Sequence, residues 1–312
     1  MNEFELIGKL TADLATADGV VIGPGDDCAV VDLGKTNEYS LFKTDAVVEG
    51  VHFTQETAAE KVGHKALARC LSDIAAMGGR AGYAVVTLGL ADDFDPGYVS
   101  SLYEGLKGTA SKFGVAIVGG ETTSNGDRLM VSVSMIGSVP KDAVVTRSGA
   151  RVGDAIFVSG ELGGSIDGRH LDFEPRLREA AWLAREFDVH AMIDLSDGLA
   201  GDLRHVTQSS GVGAELHESA IPISRAAKLR ARSGDSQKPA LLAALTDGED
   251  FELLFTVDKS KAVSVLDGWK AEFPAVPLSC VGKIVAGNAI QIRDAKGVRE
   301  LNLRGFAHFA QN

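Results

Sequence analysis

The chain has 312 residues, 45% of them hydrophobic, and its 43 acidic and 31 basic residues give a formal net charge of −12. This excess of acid argues against nucleic acid or an anionic membrane as the main partner, because both attract basic surfaces. A phosphorylated substrate is compatible with the charge, since bound metal ions can neutralise its phosphates.

The N-terminal half predicts alternating helices and strands. A helix over 58–77 is predicted because Val62, Ala66, Cys70 and Ile74 recur at helical spacing and form one apolar stripe. Further helices are predicted over 2–17 and 96–113, and strands over 28–33, 39–45, 83–90, 115–118 and 129–139. In this interpretation Asp45 lies at the end of a short apolar strand.

A domain boundary is predicted near residue 140, where Pro140, Gly149 and Gly153 interrupt the chain. The predicted domains are therefore 1–140 and 141–312. In the second half, strands are predicted over 155–159, 190–195, 251–257, 278–285 and 289–293, and helices over 174–187, 199–209 and 260–273. Strands and helices mixed in both halves predict α/β or α+β layers.

Three features of the sequence predict a cytoplasmic protein. The cysteines Cys28, Cys70 and Cys280 are far apart and lack zinc-site spacing, as expected of reduced thiols. The first residues lack the basic start and apolar run of a signal peptide. No apolar run approaches the roughly 18 residues of a membrane span.

Acidic residues recur beside glycines or at the predicted ends of helices and strands. They lie in the segments Gly25-Asp26-Asp27, Thr44-Asp45, Ser72-Asp73, Gly119-Gly120-Glu121 and Asp194-Leu-Ser-Asp197-Gly198. Carboxylates that converge repel one another and require cations. Mg²⁺ takes oxygen ligands and is completed by phosphates, while glycines let backbone N–H groups approach a phosphate. The pattern predicts acids that bind Mg²⁺ ions, which in turn bind a nucleotide triphosphate.

No glycine-rich phosphate loop competes with this interpretation. The tripeptide Gly34-Lys35-Thr36 resembles the end of a P-loop, but that motif requires a glycine at position 29, where the chain has alanine. The tripeptide also falls between two predicted strands, which favours a polar hairpin turn.

Each acid also has an ordinary structural alternative. Asp26 and Asp27 are typical turn residues, and Asp45 is compatible with an Asx-turn. Asp73 follows Arg69 by four residues on one helix face, where the two can pair. Likewise, a solvated loop position is the alternative for Glu121, and helix capping is the alternative for Ser196 or Asp197. The residues alone leave these alternatives open.

Five segments, taken together, resemble the thiamine-monophosphate kinase family, which belongs to the aminoimidazole ribonucleotide synthetase-like superfamily. They are Gly25-Asp-Asp-Cys-Ala29, Thr44-Asp-Ala-Val-Val-Glu-Gly-Val-His-Phe53, Leu71-Ser-Asp-Ile-Ala-Ala-Met-Gly78, Asp194-Leu-Ser-Asp-Gly-Leu199 and Gly248-Glu-Asp-Phe-Glu-Leu-Leu-Phe-Thr256. The resemblance covers nearly the whole chain in the family's order. It implies a kinase that makes thiamine diphosphate from thiamine monophosphate and ATP, the last step of thiamine diphosphate biosynthesis.

The resemblance also implies a two-domain fold. The N-terminal domain would bind ATP and metal and form a homodimer through a β-barrel shared with its partner, and the C-terminal domain would be an α/β layered domain. The active site would lie between the halves, near the dimer interface.

Carried over by motif, the resemblance assigns roles to single residues. The implied ligands of several Mg²⁺ ions are Asp27, Thr44, Asp45, Asp73, Glu121, Asp194 and Asp197. The implied ATP contacts are Gly120, Glu121, Arg147 and Ser196, and the implied substrate contacts are His52, Glu249 and Phe306. The implied catalytic residues are Asp45, Asp73, Arg147 and Asp197. Positioning and charge neutralisation would perform most of the catalysis, since the attacking substrate phosphate is already ionised.

The sequence departs from the family pattern at several positions. Glu121 stands where these kinases usually have Asp, and Lys43 stands where some members have Ser, which adds a cation beside the acids. Phe173 replaces a proline, and Ala307 replaces an Asp. These departures bear mainly on substrate detail.

The close alternative is another ATP-using synthetase of the same superfamily. Selenophosphate synthetase needs a reactive Cys in a glycine-rich loop, whereas Cys28 follows two Asp residues, and a hydrogenase-maturation relative needs a C-terminal Cys. A non-catalytic metal binder is the alternative from a different class, and it would not take up nucleotide in a magnesium-dependent way.

Overall fold

The computed structural model describes residues 3–14, 16–34, 37–233 and 238–303. The chain divides into two compact units. The unit called N-terminal below comprises Gly19–Val144 and His170–Ala181, and the unit called C-terminal comprises Met1–Asp18, Val145–Arg169 and Trp182–Asn312. The predicted domain boundary after residue 140 stays a prediction.

The described residues contain both helices and strands in each unit. The helices are α1 (Glu3–Thr11), α2 (Ala59–Ala76), α3 (Pro96–Phe113), α4 (Leu177–Glu186), α5 (Leu199–Ser210), α6 (Arg225–Ser233), α7 (Ala240–Thr246) and α8 (Ala262–Glu272). The strands are β1 (Val20–Ile22), β2 (Ala29–Val31), β3 (Glu38–Val48), β4 (Arg80–Leu90), β5 (Ala116–Ser124), β6 (Met130–Pro140), β7 (Ala155–Ser159), β8 (Val189–Asp194), β9 (Gly213–His217), β10 (Leu253–Val257), β11 (Leu278–Val285), β12 (Ile290–Asp294) and β13 (Gly297–Glu300). This arrangement confirms the predicted mixed α/β class.

The N-terminal unit contains one six-stranded sheet with the order β1-β2-β3-β6-β4-β5. Its neighbouring strands are antiparallel except for the parallel pair β4 and β5. Within the described residues the sheet stays open, with β1 and β5 at its edges. The barrel shared with a partner therefore stays a prediction.

Two strands of this sheet run past their predicted ends. β3 continues through Val48, and Asp45 lies within it, opposite Val133 of β6. The prediction that Asp45 ends a strand was wrong, and so was the Asx-turn alternative, because an ion pair with Arg69 lets this acid stay inside the ladder. β5 likewise includes Gly120 and Glu121, which pair with β4 and do not form a loop.

Helix α2 forms the core of the N-terminal unit, as its apolar stripe predicts. Val62, Cys70 and Ile74 are fully buried in one cluster with the inward residues of the sheet. Helix α3 packs closely on α2 through glycine: a Cβ added at Gly63 would lie 2.0 Å from the carbonyl oxygen of Leu102. This contact fixes the distance between the two helices.

The C-terminal unit contains a seven-stranded sheet with the order β13-β12-β9-β11-β7-β10-β8. Its neighbours are antiparallel except for the parallel pair β9 and β12. Every residue of the interior strands β7 and β10 is buried, which explains their mainly apolar sequence. Among the described residues, no helix is both long enough and apolar enough to cross a membrane.

We predict that Gly63→Ala destabilises the protein by about 1–3 kcal/mol, because the added methyl group forces α2 and α3 apart. The matched control is Gly108→Ala, also within a helix, where an added Cβ meets no atom within 4 Å. That variant should be neutral or stabilised by about 0.5–1 kcal/mol. Urea unfolding measures the free energy of unfolding of both variants. Equal values for the two would show that α2 and α3 can move apart at little cost and would contradict the prediction.

Candidate functional site

Two buried acids lie close together in the N-terminal unit. Asp27 lies in the turn between β1 and β2, and Asp73 lies on α2. Both residues are buried. A carboxylate oxygen of Asp27 lies within 4.8 Å of a carboxylate oxygen of Asp73. Gly25, with φ of +124°, makes the tight backbone path that leads into Asp27. The structure thus brings two predicted magnesium ligands together.

Two cations accompany these acids. The Lys43 ammonium lies 2.6 Å from Asp73 Oδ1. The Arg69 guanidinium donates to both oxygens of Asp45, at 2.9 and 3.1 Å, in a bidentate pair. We define Asp27, Lys43, Asp45, Arg69 and Asp73 as the N-terminal acid cluster.

Burial and charge oppose each other in this cluster. Burial raises the pKa of Asp45, but Arg69 and Lys43 outweigh it, and the net pKa lies below its usual range. Burial lowers the pKa of Lys43, but Asp73, Asp45 and Asp27 raise it to a net value well above the usual range. The shifts therefore favour the ionised forms of Asp45 and Lys43.

Thr44 lies in the same strand as Asp45, but its side chain belongs to the opposite face of β3. Its Oγ1 lies 3.0 Å from Ser134 Oγ and donates to the Val133 carbonyl oxygen at 3.3 Å. The structure therefore does not bring the Thr44 hydroxyl to the acid cluster. Its role as a metal ligand stays a prediction.

Gly120 and Glu121 lie on the exposed edge strand β5. A Cβ at Gly120 would lie 2.0 Å from the Val86 carbonyl oxygen, so the parallel pairing with β4 requires glycine here. Glu121 is exposed, and its Oε1 accepts a hydrogen bond from the Thr122 N–H at 2.9 Å. Their predicted roles as ATP and metal contacts remain predictions.

His52 is fixed in the turn after β3 by two hydrogen bonds. Its Nδ1 accepts from the Val48 N–H at 3.1 Å, and its carbonyl oxygen accepts from Lys65 Nζ at 2.6 Å. Because Nδ1 is an acceptor, the proton of the neutral ring is assigned to Nε2.

Lys65 is fully buried and also lies 2.7 Å from His170 Nδ1. Lys65 was missed from the sequence, where it looks like an ordinary surface lysine of α2.

In the C-terminal unit, Asp194 ends strand β8 and is buried. Ser196 and Asp197 follow in the turn before α5. The N-cap residue of α5 is Gly198, with φ of +94° and no side-chain capping bond, so the capping alternative for Ser196 or Asp197 was wrong. The positive φ explains why the position before the helix is glycine.

Asp197 has two neighbours that sequence analysis missed. A ligand oxygen of Asp197, one of Asp202 and a ring nitrogen of His205 all lie within 4.8 Å of one another. The Asp197 N–H also donates to Asp202 Oδ2 at 3.0 Å. The spacing of Asp202 and His205, three residues apart on one helix, is the signal that would have found them.

Glu249 lies in a loop with an unusual backbone. Glu249 and Phe251 adopt φ of +63° and +50°, which side chains other than glycine rarely adopt. The Glu249 N–H donates to the Ser196 carbonyl oxygen at 2.7 Å, and the Phe251 N–H donates to Leu195 at 2.8 Å. Two of the predicted contacts, Ser196 and Glu249, are thereby joined directly.

Arg169, which sequence analysis missed, secures this loop from its buried side. It donates to Asp250 Oδ1 and to Glu252 Oε1, each at 3.0 Å, and to the Glu161 carbonyl oxygen at 2.9 Å. The side chains of Asp250 and Glu252 are at most 1% exposed. Burial raises the pKa of Asp250 to about 6, although Arg169 and the Gly163 N–H lower it.

Arg147 is half-buried in the C-terminal unit, in the segment that leads to β7. This segment is attached to β8, since the Met192 N–H donates to the Thr146 carbonyl oxygen at 2.9 Å. Phe306 lies outside the described residues. The predicted roles of Arg147 and Phe306 stay predictions.

Comparison with known proteins first defines the class. The model of the AIR synthase related protein N-terminal domain matches residues 25–139, and that of the corresponding C-terminal domain matches residues 166–294. The chain is therefore an AIR synthase related protein, with both domains of that class in the expected order. This confirms the superfamily that the motifs predict.

The relatives then define the family. The chain is 39% identical over 298 residues to the thiamine-monophosphate kinase of Rhodopirellula baltica, covering 93% of this chain and 92% of that protein. It is 32% identical over 335 residues to that of Escherichia coli strain K12, covering 99% and 98%. The structure of AaThiL complexed with AMPPCP and TMP matches with a TM-score of 0.81 and 29% identity, covering 99% of this chain and 97% of that one. The chain belongs to the thiamine-monophosphate kinase family.

We predict that deprotonation of Asp250 lowers the free energy of unfolding as the pH rises from about 4 to about 6. Its pKa in the folded chain is about 6, against an ordinary value of 3.8, so the folded state binds the proton more tightly between these values. The free energy of unfolding should drop by roughly 3 kcal/mol between about pH 4 and pH 6, relative to Asp250→Asn, and stay level outside that window.

Urea unfolding at a series of pH values measures this difference. Asp93→Asn, an exposed acid, is the control and should follow the wild type in parallel. Parallel curves for Asp250→Asn and the wild type would show that Asp250 is ionised in both states.

Proposed function

We propose that this chain transfers the γ-phosphoryl group of ATP to thiamine monophosphate, forming thiamine diphosphate and ADP. The observation that carries the proposal is family membership over nearly the full length, at 39% identity to a thiamine-monophosphate kinase. AMPPCP is a non-hydrolysable ATP analogue, and its presence with TMP in the AaThiL complex supports ATP as the phosphoryl donor.

The donor set of the N-terminal acid cluster fits Mg²⁺. Two carboxylates about 4 Å apart repel by roughly 4 kcal/mol at an effective dielectric near 20, which a divalent cation removes. Asp27 and Asp73 supply buried oxygen ligands that lie within 4.8 Å of each other. When bound, Mg²⁺ supplies charge neutralisation for the polyphosphate. The proposed magnesium ligands of the N-terminal unit are Asp27, Thr44, Asp45, Asp73 and Glu121, and those of the C-terminal unit are Asp194 and Asp197.

The remaining residues position the two substrates. Gly120 lets the backbone approach the ATP phosphates, and Ser196 and Arg147 contact the nucleotide, with the guanidinium stabilising charge on the transferred group. His52 offers its Nε2–H to the acceptor substrate. Glu249 offers a carboxylate to the positively charged thiazolium ring, and the bonds from Arg169 to Asp250 keep this loop in place.

The proposed reaction is an in-line displacement. An oxygen of the thiamine monophosphate phosphate attacks the γ-phosphorus of ATP, and the bond from that phosphorus to the β–γ bridging oxygen breaks. The electron pair leaves with ADP. Because the nucleophile is ionised at neutral pH, no residue has to act as a strong base.

We predict that Asp73→Asn lowers kcat/KM by at least about 100-fold, because it removes one charge from the buried pair that binds the cation. The assay is formation of thiamine diphosphate and ADP from ATP, Mg²⁺ and thiamine monophosphate. Asp172→Asn is the control: Asp172 pairs with Lys61 in an exposed ion pair, so its loss should change the rate by less than about twofold.

Turnover with a different phosphate acceptor, and none with thiamine monophosphate, would contradict the proposed substrate. A protein that binds Mg²⁺ but takes up no AMPPCP in calorimetry would instead be the non-catalytic metal binder considered from the sequence.

We also propose that the protein is a homodimer, formed through one face of the N-terminal sheet. That face exposes large apolar side chains on four neighbouring strands: Phe42, Tyr83, Val85, Val118 and Ile136. Exposed apolar surface of this extent is typical of an interaction site. A second copy of the same sheet offers a matching apolar face, in keeping with an isologous two-fold interface.

We predict that Val118→Asp shifts the protein from dimer to monomer, because a charge buried in an apolar interface is unfavourable. Val118 is 62% exposed in the single chain. Val263→Asp on α8 is the control, since Val263 is 69% exposed and lies far along the chain from this sheet. Light scattering after size-exclusion chromatography gives the masses. A wild-type monomer, or a Val118→Asp dimer, would exclude this interface.

A further inference from the structure

We infer that the Lys43 ammonium takes the place of one cation in the N-terminal acid cluster, so that this protein binds fewer divalent ions than its acids alone would require. The inference rests on the proposed function, because it assumes that Asp27 and Asp73 serve magnesium binding.

The position of Lys43 carries the inference. Lys43 lies on β3, two residues before Asp45, and therefore on the same face of the strand. Its Nζ lies 2.6 Å from Asp73 Oδ1, within the range of a charge-assisted hydrogen bond. Its side chain is 21% exposed and that of Asp73 is 10% exposed, so water screens the pair weakly.

The sum of the charges in the N-terminal acid cluster also supports this role for Lys43. Asp27, Asp45 and Asp73 contribute three negative charges, and Lys43 and Arg69 contribute two positive charges. Within these five residues the sum is one negative charge, to which the other proposed acidic ligands add. With a neutral residue in place of Lys43, two negative charges would remain, and one divalent ion from solution would balance them.

The two cations have different functions in this scheme. Arg69 donates to both oxygens of Asp45 in a bidentate pair, which fixes the orientation of that carboxylate. The Lys43 ammonium is a compact point charge on a flexible stem and contacts one oxygen of Asp73. A carboxylate has two ligand oxygens, so Asp73 can serve Lys43 and a divalent ion together.

A tethered ammonium differs from a metal ion in one measurable respect. Its occupancy does not depend on the concentration of free Mg²⁺, because it is part of the chain. Removing it should create a site that must be filled from solution. Lys43→Ser should therefore bind one more divalent ion per chain and depend more steeply on Mg²⁺.

The experiment counts bound Mn²⁺ by electron paramagnetic resonance, with the full chain saturated with AMPPCP. We expect Lys43→Ser, and also Lys43→Met, to bind one more Mn²⁺ per chain than the wild type. Thermal unfolding with and without Mg²⁺ is the second readout, and added Mg²⁺ should raise Tm further in both variants than in the wild type. Lys61→Ser is the matched control, since it removes one lysine charge from an exposed ion pair on the same unit.

The outcomes separate this inference from the proposed function. Equal, non-zero Mn²⁺ stoichiometry and equal Mg²⁺-dependent Tm shifts in all four proteins would overturn the role of Lys43 alone. No Mn²⁺ bound by any of them would overturn the magnesium site itself, and the inference with it.

Discussion

The charge balance of buried carboxylates is the constraint on which the N-terminal unit depends. Asp27 and Asp73 are buried and lie close together, and negative charges in such an arrangement repel each other unless positive charge lies nearby. The chain provides part of that charge through Lys43 and Arg69. The proposed Mg²⁺ ions provide the rest, and in doing so they make the same acids useful for binding a polyphosphate.

The fold brings these charges together through ordinary packing. The apolar stripe of α2 packs against the inward side chains of the sheet, and this contact sets Arg69 and Asp73 beside β3. Gly63 permits the close approach of α3 behind α2. A rigid apolar core thus positions polar groups that would be unfavourable elsewhere.

In the C-terminal unit, the side chains of the proposed site are positioned by a strained backbone and by hydrogen bonds. There the backbone around Glu249 and Phe251 adopts positive φ, which costs about 1–3 kcal/mol at each such residue. Hydrogen bonds from this loop to Leu195 and Ser196, and from Arg169 to Asp250, offset that strain. Strain held in place by surrounding contacts is typical of sites that must present a side chain in one orientation.

Local patterns predicted much of this architecture. The stripe of α2 was evident because helical periodicity depends only on residues a few positions apart. The ends of β3 and β5 were predicted too early, because Asp45 and Gly120 look like strand breakers until the partner strand and Arg69 are known.

The parts of the site that depend on distant residues could not be derived from pattern. Arg169 contacts acids more than eighty positions away in the sequence, and Lys65 contacts His170, 105 positions away. Nothing near these residues in sequence signals such partners. The roles given to Arg147, Glu249 and Phe306 came from resemblance to the kinase family, since spacing alone does not distinguish a ligand from a surface residue.

Anomalous diffraction from crystals grown with Mn²⁺ and AMPPCP tests the central claim most directly. The account predicts a manganese peak within coordination distance of carboxylate oxygens of both Asp27 and Asp73, with the nucleotide phosphates completing the coordination. Manganese found on the nucleotide alone, with no peak beside either carboxylate, would contradict it.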